Sequence, residues 1–305
     1  MTRLVGVDVG GTKVVVAALE DGKLGEPRLR PTELESSDAL VDQLEEAIRE
    51  VLPADAIGIG IPSVVDFATG TARSSVNIPL ENVPLRKILR KRMGIPVYVD
   101  NDATVAAVAE AHGPDAKVDV RHLVMLTVGT GVGGGIVIDG HIHRGATGAA
   151  AELGHMLIGA DLEDGAPEPH GIPRPGSLEW LASGRALDRL AAERGLKDGR
   201  GAVDAAQRGD AAGLECLRIL GERLGIGIAN LVLALEPDVV AIGGGVSSAG
   251  ELLLHPARET AERFYLRGVG TKTEIRVARY GPEAGVLGAA LMAGQEMLLE
   301  RDAIE

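Results

Sequence analysis

The sequence predicts an α/β protein of two lobes, and three observations carry that prediction. At 305 residues the chain exceeds the size at which one hydrophobic core stops growing, so two cores are expected. Short β-branched runs alternate with stretches of helical periodicity along its whole length. A strand, a Gly/Thr turn and a second strand occur at the start and again near the middle, so the chain reads as a repeated unit of low internal identity. Two such halves facing each other would set two phosphate-gripping turns on opposite walls of one cleft.

Each element follows from local pattern. Residues 4–8 and 14–19 are β-branched runs around a Gly-Gly-Thr turn, which predicts a hairpin, and a third strand is expected near 26–34. Over residues 37–52, Leu40, Leu44, Ile48 and Leu52 recur at helical spacing before Pro53. A buried strand at 57–61, a helix at 84–92, a strand at 97–99 and a helix at 103–111 come next. The pattern then restarts, with strands at 122–127 and 135–138 around a second glycine-rich turn. Helices are expected over 177–193 and 215–235, then a buried strand at 239–242 and a closing helix at 284–300. Residues 161–175, rich in Pro, Gly and charge, read as an irregular loop. The first lobe is placed at 1–112, completed by the C-terminal helix 286–305, and the second at 113–285.

Composition narrows the function classes. Hydrophobic residues make up 45% and charged residues 25%, the balance of a soluble globular protein. Aromatics are only 2%, so the cores must be built from Val, Ile, Leu and Ala. A net charge of −13 argues against a nucleic-acid binder that relies on neutralising phosphates. It leaves a nucleotide ligand open, because a phosphate cradle needs only local amides and a cation. Cys216 stands alone, so no intramolecular disulfide forms and a reducing, cytoplasmic compartment is expected. The N-terminal apolar run is broken by Asp8, unlike a signal peptide, and the uncharged run 123–138 is short and glycine-rich for a membrane span.

Four motifs bear polar chemistry. In Asp8-Val-Gly-Gly-Thr-Lys13, Gly10 and Gly11 let the backbone turn tightly toward an anion, with Thr12 and Lys13 as further donors. Asp8, at a strand end, is suited to a Mg²⁺-bound water; the same motif also fits an ordinary hairpin turn. Thr127–Gly135 offers several amides around Thr130 and Gly131, and a strand follows it, so it is no dinucleotide fingerprint. In Val99-Asp-Asn-Asp-Ala103, Asp102 stands where a strand becomes a helix, poised either as an acid–base group or, with Asn101, as a simple cap. Glu152-Leu-Gly-His155 supplies carboxylate and imidazole, which suit a polyol or an exposed helix end alike.

Taken in chain order, Asp8–Lys13, Val99–Ala103, Thr127–Gly135 and Glu152–His155, followed by Gly243-Gly244-Gly245-Val-Ser, these motifs resemble the ROK family of repressors, open reading frames and sugar kinases, from Leu4 to about Gly294. The resemblance implies an actin-like fold of duplicated RNase-H-like domains, with ATP, Mg²⁺ and sugar meeting in the interlobe cleft. It implies Asp102 as the catalytic base and Asn77, Asn101, Glu152, His155 and Glu179 as sugar contacts. It assigns Gly10, Thr12, Lys13, Thr130 and Gly131 to the phosphates, and Gly243, Gly244 and Gly245 to adenosine. Phosphorylation of a hexose, most simply glucose, is the implied reaction, with fructose, allose or an N-acetylated amino sugar as alternative acceptors. A sugar-sensing regulator without turnover is the alternative from another class, against which the retention of Asp102 and both phosphate turns speaks; the acidic charge and the start of the motifs at Asp8, with no helix-turn-helix ahead, speak for a kinase over a repressor. A homodimer or homotetramer is implied as well.

Two departures matter. Ser63 stands where the family more often has Gly, in a segment that would approach the sugar. The family's zinc site joins the His of the Glu-x-Gly-His motif to three Cys, and here His170, Ile172 and Ser177 occupy the Cys positions. Two imidazoles without a thiolate make a poor tetrahedral set, so no structural zinc is expected. Elemental analysis of the purified protein should find no stoichiometric zinc, and one zinc per chain would overturn that expectation.

Overall fold

The computed structural model describes residues 2–75, 77–163 and 165–303. Residues 304 and 305 of the expected C-terminal helix and Asp164 of the expected loop lie outside them. In chain order the elements begin with β1 (Arg3–Val9), β2 (Lys13–Glu20), β3 (Lys23–Leu24), β4 (Arg28–Pro31) and α1 (Ser37–Arg49). Then come β5 (Ala56–Ile61), β6 (Ser63–Asp66), β7 (Thr71–Ser75), α2 (Leu85–Met93), β8 (Val97–Asn101) and α3 (Asp102–Ala111). The middle holds β9 (Leu123–Val128), β10 (Val132–Ile138), β11 (His141–Ile142), α4 (Leu178–Ala182), α5 (Gly184–Glu193), α6 (Gly199–Gln207) and α7 (Ala211–Leu235). The chain closes with β12 (Val239–Gly243), α8 (Glu251–Phe264), β13 (Glu274–Val277) and α9 (Ala284–Asp302). Among the described residues no helix is long and apolar enough to cross a membrane.

Two compact units divide the chain. The first comprises residues 1–121, 135–151 and 279–305, and the second 122–134 and 152–278.

A six-stranded sheet organises the first unit, with order β3-β2-β1-β5-β8 and β4 paired to β2. β1 and β2 are antiparallel, as the tight turn between them requires, whereas β1, β5 and β8 run parallel. Period-2 alternation sorts the strands by size. Val5, Val7 and Val9 on β1 and Ile57, Ile59 and Ile61 on β5 enter a core with Leu40, Leu44 and Ile48 of α1 and Leu85 and Leu89 of α2. Gly6 on β1 and Gly58 and Gly60 on β5 fall between them, and against these small positions lie α9 and α3. A Cβ added to Gly6 would sit 1.9 Å from the Val286 carbonyl oxygen, and one on Gly58 1.8 Å from that of Ala289. A Cβ on Gly288 would fall 1.8 Å from the Val105 carbonyl oxygen. Backbone therefore meets backbone across this layer. Glu110, fully buried on α3, accepts from the Arg279 and Tyr280 amides at 2.6 and 3.0 Å and so anchors the approach to α9.

In the second unit β9, β12 and β13 are parallel, with Thr127 opposite Gly243. The long helix α7 starts at Ala211, earlier than its periodicity announces, because Asp210 Oδ1 accepts from the Ala212 and Gly213 amides at 2.9 and 3.1 Å. The single helix expected over 177–193 is two helices. Ser183 is extended (φ −85°, ψ 174°) and its hydroxyl caps α5 by accepting from Ala186. The Gly184 amide at the same break donates to the Gly129 carbonyl at 2.7 Å, so docking on the glycine turn overrides helical continuity. No regular helix or strand forms among the described residues of 161–175.

The backbone contacts set the cost of side chains in the first unit. Gly58→Ala should lower unfolding stability by about 2 kcal/mol or more, since the added methyl meets main chain that cannot step aside. Gly94→Ala, at a positive-φ helix cap with open space around it, should cost about 1 kcal/mol. Urea midpoints compare the two, and equal losses would contradict the packing argument.

Candidate active site

Sheet register places the acidic groups of the first unit on one edge. Asp8 on β1 pairs with Gly60 on β5, and Gly60 pairs with Asp100 on β8. Directly opposed residues share a face, so this row lies at the carboxyl ends of parallel strands, where open α/β sheets bind ligands. Gly60 is small because a Cβ there would meet Val105 Cγ2 at 2.6 Å and lie 3.5 Å from the Asp102 Cα.

The cap of α3 is Asn101. Its side-chain oxygen accepts from the Ala103 and Thr104 amides at 2.9 and 3.1 Å, and its amide nitrogen donates to the Ser63 carbonyl at 3.3 Å. Asp102 follows as the first helical residue, half-buried, with its Oδ1 2.8 Å from the Ala103 nitrogen. The capping duty that the sequence left open between these two residues thus falls to Asn101, and Asp102 stands at the positive end of the helix dipole.

Asp8 lies against the start of α9: a Cβ on Gly285 would come within 2.5 Å of its carboxyl carbon. Burial and the neighbouring charge of Asp102 push the Asp8 acid up from 3.8 to about 6, and Lys13 pulls partly the other way. Two carboxylates within electrostatic reach at a ligand-binding edge are a group that a cation relieves. The Asp8 oxygens suit the hard-oxygen preference of Mg²⁺.

The turn after β1 is closed by the Gly10 amide donating to the Lys13 carbonyl at 2.8 Å, which leaves the Gly11 and Thr12 amides outside the turn's own hydrogen bond. Thr32 braces it, its hydroxyl donating to the Gly10 carbonyl at 2.7 Å and its amide to that of Thr12 at 3.2 Å. Neither Gly10 nor Gly11 has positive φ. Space is the reason for Gly11, where a Cβ would press on the Asn77 Cβ at 3.1 Å. The turn and Asn77 are thereby brought together.

In the second unit the Gly129 amide donates to Gly131 at 2.9 Å, closing the second glycine turn. Gly244, at φ +84°, lies so near it that a Cβ would meet the Val128 carbonyl oxygen at 2.4 Å. Gly129, Gly184, Gly245, Val246 and Ser248, together with Arg200, Asp204 and Gln207 of α6, line a cavity of about 580 Å³. That size suits a nucleoside. The α6 residues carry no motif, and only the fold reveals them.

Glu179 and Gly154, the latter between Glu152 and His155 in the chain, meet at Val132, the first residue of β10. Glu179 Oε2 accepts from the Val132 amide at 2.8 Å and fills the space beside Gly131. Gly154 packs on the Val132 carbonyl, where a Cβ would come within 2.1 Å. Glu152 and His155 are exposed, their side chains 3.9 Å apart. The positions aligned with zinc ligands do not suit a metal: the Ser177 hydroxyl is buried and accepts from Trp180, Ile172 has no donor atom and is 83% exposed, and His170 is exposed.

The chain has the actin-like two-domain fold of a phosphoryl-transfer protein, with paired carboxylates and a glycine turn in its first unit and a glycine turn beside a nucleoside-sized cavity in its second. The sequence pattern of the ROK family matches residues 4–296, and the chain belongs to that family. It is 35% identical over 318 residues to a glucokinase of Halalkalibacterium halodurans, covering 96% of this chain and 95% of that protein. Among solved structures it is similar to a ROK family glucokinase from Streptomyces griseus in complex with glucose and AMPPNP, with 31% identity and TM-score 0.77, covering 96% and 99% of the two chains. It is also similar to a ROK hexokinase from Thermus thermophilus, with 36% identity and TM-score 0.83, covering 97% and 99%.

The raised Asp8 acid fixes a sign. Between pH 3.8 and about 6 the native chain keeps a proton that the unfolded chain releases, so ionising Asp8 weakens the fold as pH rises through that window. Asp8→Asn should therefore gain about 1–2 kcal/mol of stability over wild type at pH 8, a gain that vanishes near pH 4, while turnover falls about 10²-fold or more. Urea titrations at both pH values check it; a destabilised variant at pH 8 would contradict the cause assigned to the shift.

Proposed function

We propose that this chain is a cytoplasmic hexokinase that moves the γ-phosphoryl group of ATP to the 6-hydroxyl of glucose. The observation that carries the reading is the sheet edge that brings Asp8 and Asp102 into one electrostatic neighbourhood, in a chain more than 30% identical to glucokinases along nearly its whole length.

Asp102 is the general base. It stands at the start of α3, where the helix dipole favours negative charge, and receives the hydroxyl proton as the oxygen attacks phosphorus. The new O–P bond forms while the bond from phosphorus to the leaving oxygen of ADP breaks, and the proton ends on Asp102. Bound with ATP, Mg²⁺ neutralises charge on the phosphate oxygens. Asp8 would hold the metal or its water, and Lys13, Thr12 and Gly11 would meet the phosphates at the first turn, as Thr130 and Gly131 would at the second. Gly243, Gly244 and Gly245, with the cavity beside α6, take the nucleoside. Asn77, Asn101, Glu152, His155 and Glu179 bind the sugar, and polar groups left without a hydroxyl partner once a sugar covers them would penalise an analogue that lacks one. The family resemblance also leads us to propose a homodimer or homotetramer.

An ADP-release assay with ATP and Mg²⁺ over a small sugar panel tests this, with glucose expected to give the highest kcat/KM. Asp102→Asn should lower kcat by about 10²-fold or more while calorimetry still detects glucose binding. Wild-type turnover in that variant would remove Asp102 from its role, and silence toward every sugar by the wild-type chain would refute the kinase.

A further inference from the structure

Beside the proposed base, the first unit holds a largely buried charge cluster that the proposed reaction does not use. Asp100, two residues before Asp102, is 1% exposed. Its Oδ2 accepts from Arg144 Nε at 2.7 Å and its Oδ1 from the Asn101 amide at 2.9 Å. Arg144 Nη2 lies 2.8 Å from Glu296 Oε1 on α9, an ion-pair contact without hydrogen-bond alignment. The ring of Phe67 covers the guanidinium, 3.5 Å from centroid to carbon. One cation thus ties two carboxylates, one on the last helix and one at the strand end that carries the base.

Stability alone does not account for such a cluster, because well-packed apolar side chains often replace a buried ion pair at no loss. What charge supplies here is direction. The guanidinium fork has one orientation that meets the Asp100 oxygen and faces Glu296. With Oδ2 held there, Oδ1 is aimed at the Asn101 amide, and Asn101 in turn caps α3 and grips the Ser63 carbonyl. The corner from which Asp102 emerges is therefore referenced to α9 through Arg144.

We infer that Arg144 is a positioning residue for the proton transfer: by fixing Asp100 against Glu296 it sets the β8–α3 corner and hence the direction of the Asp102 carboxylate. The inference rests on the reading of Asp102 as the base, and the test separates the two. Turnover, glucose affinity by calorimetry and urea midpoints are measured for Arg144→Met, Asp102→Asn and the double variant. Arg144→Met should lower kcat by about 10- to 100-fold, the scale of a small misplacement, with glucose affinity within about threefold of wild type. In the Asp102→Asn background the same change should alter the residual kcat by less than about twofold, because its route runs through Asp102. Equal losses in both backgrounds would overturn the inference, as would wild-type kcat in a folded Arg144→Met chain beside an inactive Asp102→Asn. Full turnover in Asp102→Asn would overturn both the inference and the base assignment. If Arg144→Met does not fold, Asp100→Asn, which keeps the side-chain shape but frees the guanidinium, replaces it under the same criteria.

Discussion

Backbone-to-backbone contact between the first sheet and α9 is the constraint on which the rest of the site depends. β1 and β5 place large residues on one face and Gly6, Gly58 and Gly60 on the other, so α9 and α3 descend until main chain meets main chain. Because Gly285 lacks a side chain, the first turn of α9 leaves room for the Asp8 carboxyl. Because Gly60 lacks one, α3 starts close to the strand row that contains Asp8 and Asp100. Small residues thus convert a packing requirement into the spacing of acidic groups.

That spacing carries an electrostatic cost that the chemistry puts to use. Asp8 and Asp102 repel each other in a partly desolvated place, and Lys13 offsets only part of this. Two carboxylates within electrostatic reach of each other favour a divalent cation and the nucleotide that comes with it, even in a chain of net charge −13. The acidic surface and a polyanionic substrate are therefore compatible, since the local cation and backbone amides decide the matter.

Much of this was legible in the sequence, and the reasons are local. The strand expected over 4–8 and found at Arg3–Val9, the strand expected at 97–99 and found at Val97–Asn101, the helix expected from 103 and found from Asp102, and the glycine turns all follow from β-branched runs meeting Gly, Thr or Asn at set positions. The capping role of Asn101 was legible only as one of two choices, because either side chain has the chemistry and only the backbone geometry selects. Elements stabilised by tertiary packing were not legible. α6 opens on Gly-Arg-Gly, which has poor helix propensity, yet it forms because Asp198 accepts from the Gly201 amide and Ala206 packs on Gly213 of α7. The β6–β7 hairpin is short and half polar, and the return of residues 135–151 to the first unit has no periodic signature. The cluster of Asp100, Arg144 and Glu296 joins three distant segments and belongs to no motif, so only coordinates disclose it.

A crystal structure of this chain with glucose, Mg²⁺ and AMPPNP bears on the central claim more directly than any other measurement. The account predicts the sugar 6-hydroxyl within hydrogen-bond distance, about 2.6–3.2 Å, of the Asp102 carboxylate, with the metal on the Asp8 side of the same sheet edge. A sugar bound with its reacting hydroxyl away from Asp102, or a metal held without Asp8 or its water, would contradict it.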